Sequence, residues 1–197
     1  CGVPLVEIVS KADMRSGKEA AAYVDKLRSI LLYSGVSDVK MEEGSMRCDV
    51  NISVRPEGST EFGVRSEIKN MSSLSDIKDT IEFEKVRHVD AIERHTEMLV
   101  QETRRWDDVK RRTFPMRSKE TAADYRYFPD PNVMPIVIDD AWLEEIRKSM
   151  PATADEKTKY YEDMGIAAKE AAVLASDRKL CEVFDAVVAS GCSAKTV

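Results

Sequence analysis

From Met46 to Val54 the chain alternates without interruption. Met46, Cys48, Val50, Ile52 and Val54 fall on one side, and Arg47, Asp49, Asn51 and Ser53 on the other. Successive side chains of a strand point to opposite faces, so this pattern predicts a strand with one packed and one polar face. Residues 64–69 repeat it: Val64, Ser66 and Ile68 share one side, and Arg65, Glu67 and Lys69 the other. The intervening "RPEGSTEFG" is a turn segment, which makes the pair an antiparallel hairpin. Parity then constrains the register. The packed faces match only where paired residue numbers sum to an even number, and a one-residue slip mixes them. A turn centred near Ser59 sets Asp49 opposite Lys69 and Asn51 opposite Glu67. Arg47, Asp49, Asn51, Arg65, Glu67 and Lys69 are therefore predicted to share one polar face.

The rest of the chain supplies helices and a second hairpin. "VPLVEIVS" (3–10) reads as a buried strand with Glu7 at its rim. Residues 15–35 read as a helix. Ser16 and Glu19 form a capping box, Ala20, Tyr23, Val24, Leu27, Ile30 and Leu31 an apolar stripe, and Gly35 suits the position after the last turn. Residues 72–99 read as a long charged helix starting near Ser73, with His88 and His95 expected on its surface. Residues 99–120 read as a hairpin turning around 107–112. "DYRYFPDPNVMPIVI" (124–138) is aromatic and proline-punctuated, hence extended. After Asp139 come short helical segments with Ser, Thr or Asp starts and Pro or Gly stops. The predicted class is α+β: an antiparallel sheet with packed helices over 1–150, then part of an all-helical domain over 151–197.

Charge and cysteine usage remove several function classes. The formal net charge is −6, so any nucleic-acid binding must use local patches. One such patch lies at 101–120, where seven Lys/Arg face four Asp/Glu. Arg111 and Arg112 there, with Tyr125 and Arg126 in the aromatic segment, are the candidate RNA contacts. Aromatics alternating with arginine stack on bases or, equally, anchor a loop to a core. The four cysteines contain no C-x-x-C pair, which speaks against zinc and a disulfide framework. No apolar run approaches the ~18 residues a membrane span needs, and no signal peptide is visible. The chain opens in strand-like sequence without an initiator Met, as expected of a fragment lacking its N-terminal part.

The polar face admits two readings. Glu7, Glu42, Glu43, Asp49 and Glu67 converge if the hairpin packs beside the first strand. Like charges at ~4 Å repel by roughly 4 kcal/mol at an intermediate dielectric, so such a cluster needs cations. Mg²⁺ with bound phosphate is one answer. Ion pairs with Arg47, Arg65 and Lys69 on a solvated sheet are the other, and on pattern alone the simpler.

"GVPLVEIVS", "YSGVSDVKMEEGSMRCDVNISVRP", "EIKNMSS", "QETRRWD", "MRSKE" and "DYRYFPDPN" occur in this order. Together they resemble the GatB-type subunit of the aspartyl/glutamyl-tRNA amidotransferase family, most strongly over residues 2–150. The resemblance implies a cradle-shaped α+β catalytic domain followed by a helical tRNA-binding domain. It implies ATP and Mg²⁺ as cofactors. The activity implied is phosphorylation of the side-chain carboxylate of glutamyl-tRNA(Gln) or aspartyl-tRNA(Asn), then amidation by ammonia from glutamine. The implied partners are an amidase subunit, a small third subunit and the misacylated tRNA, in the cytoplasm or an organellar matrix. It places Glu7, Glu42 or Glu43, and Glu67 as metal ligands. Asp49, Asn51, Arg47 and Lys69 become catalytic candidates, with Arg47 and Lys69 facing phosphates. One departure is "RHTEMLVQETR", where family members often carry a glycine pair. The alternative to this enzyme is a non-catalytic RNA-binding or assembly module.

Overall fold

The computed structural model describes residues 4–116 and 131–196, which form two compact units: Cys1–Asp25 with Met41–Ser118, and Lys26–Lys40 with Lys119–Val197. Tyr125 and Arg126 lie outside the described residues.

The first unit is built on a four-stranded sheet in the order β1-β2-β3-β4: Cys48–Ile52, Ser66–Met71, Glu102–Asp107 and Arg112–Pro115. β1 and β2 form the expected hairpin, with Asn51 opposite Glu67 and Val50 opposite Ile68. The register shifts between Cys48 and Val50, so the expected pairing of Asp49 with Lys69 is not a rung of the ladder, and the two meet only through their side chains. β3 and β4 form the second hairpin. Between the hairpins runs α2, Leu74–Arg94. It carries the chain back so that β2 and β3 are parallel, a pairing that requires a crossover connection. The sheet is accordingly mixed, not antiparallel throughout.

One face of the sheet packs on α2 and the first half of α1 (Gly17–Ser34). Ala20, Val24, Met41, Val50, Ile68, Met71, Ile77 and Trp106 form the core. Ile68 and Ile77 are almost fully buried, each worth roughly 1.5–3 kcal/mol. Gly17 allows α1 to approach α2. A Cβ there would stand 2.5 Å from the Lys78 carbonyl oxygen, and the Gly17 N–H donates to Glu82 Oε1 at 3.0 Å. The capping box forms in half: Glu19 N–H donates to Ser16 Oγ at 3.1 Å, but the Glu19 carboxylate accepts from the Arg15 N–H at 2.7 Å.

α2 starts as expected, with Ser73 Oγ accepting from Asp76 N–H, and ends at His95 in the left-handed conformation. Its inner stripe is polar: Thr80, Glu84 and His88 are completely buried. His88 is thus no surface residue. Its Nε2 lies 2.9 Å from Ser66 Oγ on β2. His95 is exposed, as expected.

Residues 4–10 form no strand. Leu5, Val6 and Val9 are 79%, 77% and 80% exposed, and no strand among the described residues pairs with them. An apolar run becomes a strand only when a neighbour accepts its backbone hydrogen bonds.

The second unit is helical: the latter half of α1, α3 (Asp140–Ser149), α4 (Ala154–Asp163), α5 (Ala168–Leu174) and α6 (Arg178–Ala189). Asp139, Thr153 and Asp177 cap α3, α4 and α6 as their sequence predicts. Tyr33, Tyr161, Ala171, Cys181 and Phe184 lie in its core, with Tyr161 edge-on to Phe184 at 5.0 Å. No helix among the described residues is long and apolar enough to cross a membrane.

Candidate functional site

The face of the sheet turned away from α2 carries the polar residues of all four strands. Across β1 and β2, Lys69 Nζ stands 3.0 Å from both Asp49 Oδ2 and Glu67 Oε1. Thr103 on β3 donates from its hydroxyl to Glu67 Oε2 at 3.1 Å. The parallel register puts Glu67 beside Thr103 and Lys69 beside Arg105. Antiparallel pairing then puts Arg105 beside Phe114 on β4. One row thus reads Asp49, Lys69, Arg105, Phe114, and the next reads Asn51, Glu67, Thr103.

Charge follows geometry. The Lys69 ammonium, first by hydrogen bonding and helped by Thr103 against partial burial, holds the Glu67 carboxyl below its usual range. In return Asp49, then Glu67, raises Lys69. Glu67 and Lys69 are both ionised at neutral pH. On the packed side, burial and then the Asp49 charge push the Cys48 thiol up to about 11, so it is a neutral packing group.

The remaining candidates are dispersed. Glu42 and Glu43 sit in the exposed turn 41–44, anchored by buried Met41, with Gly44 at φ +76°. Arg47 is exposed just before β1, and Glu7 is exposed in the irregular N-terminal segment. Among the described residues no group of three or more His, Cys, Asp or Glu is arranged to hold a metal ion. Glu7, Glu42, Glu43 and Glu67 are therefore not gathered into a cage. A lysine ammonium stands beside Glu67 where the sequence suggested Mg²⁺. The described residues do not by themselves fit that ion.

Arg111 and Arg112 separate. Arg111, at φ +52°, stacks 5.7 Å from the Trp106 ring and pairs with Asp79 of α2. It belongs to the packed side. Arg112 faces the other way, 4.5 Å from the Phe114 ring centroid. Arg105 and Lys110 join that ring at 5.6 and 5.1 Å. Sequence reasoning passed over Arg105, Lys110, Phe114 and Thr103. The alternation of Arg112, Thr113 and Phe114 carried the signal, since the first and third share a face.

Opposite this face lies a buried polar network, satisfied among the described residues except at His88 Nδ1. The single Arg87 Nε–H is shared between both Glu84 carboxylate oxygens at 3.1 Å and Arg87 Nη2 donates at 2.8 Å, with Thr113 Oγ1 and Arg104 completing the shell. Burial alone would raise the Glu84 carboxyl. Bonds from His88, Arg87 and Thr113 outweigh it and bring the pKa to about 2.

Residues 1–144 match the GatB/GatE catalytic domain. The chain belongs to the GatB/GatE family. It is 52% identical over 186 residues to an aspartyl/glutamyl-tRNA(Asn/Gln) amidotransferase B-type subunit of Clostridium acetobutylicum, covering 94% of this chain and 39% of that protein. The corresponding protein of Caldicellulosiruptor saccharolyticus is 49% identical over 186 residues, covering 94% and 38%. That of Listeria monocytogenes is 47% identical over 195 residues, covering 98% and 41%. The chain therefore spans about two fifths of the length of these relatives.

Proposed function

We propose that this chain acts, as part of a longer GatB-type protein, in the ATP-dependent amidation of glutamyl-tRNA(Gln) or aspartyl-tRNA(Asn), with ammonia released from glutamine by a partner amidase. The observation that carries the reading is the ion-paired row Asp49–Lys69–Glu67 on a solvent-facing sheet of a family member.

A carboxylate is a poor acyl donor because its oxygen leaves badly. In the proposed sequence a side-chain carboxylate oxygen attacks the γ-phosphorus and the bond to ADP breaks. Ammonia then attacks the acyl carbon, phosphate departs with that oxygen, and the nitrogen loses a proton to become the amide. Phosphoryl transfer asks a protein mainly for positioning and charge neutralisation. Lys69, kept cationic by Asp49 and Glu67, supplies charge held in a fixed place. Asn51 and Thr103 offer neutral hydrogen bonds alongside. Arg47, exposed before β1, is proposed to face phosphate. Mg²⁺ is proposed to accompany ATP. Glu7, Glu42, Glu43 and Glu67 contribute ligands only together with oxygens from outside the described residues, since they form no cage among themselves.

The test uses the full-length protein in complex with its amidase and small partner proteins. Glu67→Gln is expected to lower ATP-dependent tRNA amidation by at least ~100-fold, on the scale of losing an electrostatic contact to a reacting group. Glutamine hydrolysis is expected to persist. Wild-type amidation rates in the Glu67→Gln complex would refute the assignment. Absence of ATP-dependent amidation in the wild-type complex would favour the RNA-binding module.

A further inference from the structure

Phe114 gathers three exposed cations around one ring. Arg112, Lys110 and Arg105 stand 4.5, 5.1 and 5.6 Å from its ring centroid. Such distances are attractive to the ring quadrupole, most strongly from the face. None of the three is in an ion pair among the described residues. That sets them apart from Arg87, Arg104, Arg111 and Lys69, each of which is paired with a carboxylate. Asp107, opposite Arg112 across the β3–β4 pair, accepts from the Lys110 backbone N–H at 2.9 Å and offsets one charge, leaving the cluster of three cations net positive. A quadrupole holds three like charges in place without cancelling them, so the cluster is organised for an anion.

The geometry points to Phe114 as the organiser of a phosphate-binding site, in which Arg112, Lys110 and Arg105 take successive phosphodiesters of an RNA strand. Three features favour RNA over a compact nucleotide. The cations are strung along a hairpin and its turn, on β3, the loop and edge strand β4. All three are exposed on flexible stems, the arrangement that tracks a backbone. Two have planar guanidinium groups, which suit phosphate forks and base faces. The site also lies one residue along the row from Lys69, beside the proposed chemistry. The inference rests on the proposed function for the identity of the RNA, a tRNA, and assigns its contact to this hairpin, with Arg111 excluded.

The experiment measures binding of deacylated tRNA to the full-length protein in its assembled complex, by fluorescence anisotropy between about 50 and 200 mM salt. Lys110→Gln/Arg112→Gln is expected to weaken binding ~10-fold or more near 100 mM salt and to flatten the log–log salt slope by about 1.4–1.8, two phosphate contacts' worth. Phe114→Leu is expected to weaken binding severalfold, with Phe114→Tyr restoring it, because only an aromatic face holds the cations. Arg111→Gln is expected to change binding less than about twofold, its partner being Asp79. An unchanged affinity and slope in the double variant overturns the inference. So does an equal loss in Arg111→Gln, which would mean diffuse attraction. A raised KM for ATP with intact tRNA binding also overturns it by moving the anion to the nucleotide. Wild-type protein that binds no tRNA defeats the proposed function itself, a different result from binding that the variants leave intact.

Discussion

The two faces of one sheet handle charge in opposite ways. Toward α2, Glu84, Arg87, His88, Ser66, Arg104 and Thr113 are joined in one largely buried network, with His88 Nδ1 its one unpartnered atom among the described residues. On the outer face, Asp49, Lys69 and Glu67 pair in partial contact with solvent, and Arg105, Lys110 and Arg112 gather around an aromatic ring with no ion pair among the described residues. Both faces are built from the same residue types, so composition does not distinguish them. Burial does. In the interior a lost partner leaves a stranded charge, which makes each member structural. At the surface a lost partner is replaced by water, and the residue is free to serve a ligand.

Substitutions on the inner face are expected to break stability most. Glu84→Ala in the full-length protein is expected to cost about 3–5 kcal/mol in urea denaturation, the usual penalty for opening a buried pair. A cost under ~1 kcal/mol would mean that the network is not structural. Acid probes the same group. Glu84 titrates near 2 in the folded state against 4.5 for the free side chain. Its contribution is complete above about pH 4.5 and is lost as pH falls through the folded value, because the unfolded chain takes up the proton first. The total is on the order of 3 kcal/mol. The fall in urea midpoint from about pH 5 to pH 3 should therefore be steeper in the wild type than in Glu84→Gln. Parallel profiles would contradict this. Gly17→Ala is expected to cost about 1–3 kcal/mol by pushing α1 off the Lys78 carbonyl. Thermal melting compared with Lys18→Ala, an exposed neighbour, checks it. On the outer face Asp49→Asn should shift stability by less than ~1 kcal/mol, since its pair with Lys69 is partly exposed.

These contrasts also mark what the sequence could reveal. The first hairpin was legible down to Asn51 facing Glu67, because period-two alternation and a central turn leave one register that keeps both faces pure. Helices α2, α3, α4 and α6 were legible from their caps, whereas α5 starts at Ala167 with no side-chain cap. Glu84 and His88 were not, because a polar stripe on a charged helix has no apolar periodicity to betray its burial. Residues 4–10 misled for the converse reason: strand-like composition specifies a strand only when a partner is present. Arg111 and Arg112 looked equivalent as neighbours. A left-handed backbone at Arg111, in the tight turn, sends them to opposite faces. The carboxylates failed to cluster because the link between Glu43 and Glu67 is a turn and a register, and neither fixes where an exposed side chain ends.

The division of labour between the faces is tested most directly by measuring melting temperature and ATP-dependent tRNA amidation together, on Lys69→Met and Glu84→Gln in the assembled complex. The account predicts that Lys69→Met melts within about 2–4 °C of wild type, as a loss near 1 kcal/mol implies for a large domain, while amidation falls by at least ~100-fold. Glu84→Gln should instead lower the melting temperature by more than that, with amidation per folded molecule largely kept. A Lys69→Met complex that amidates tRNA at the wild-type rate would contradict the account.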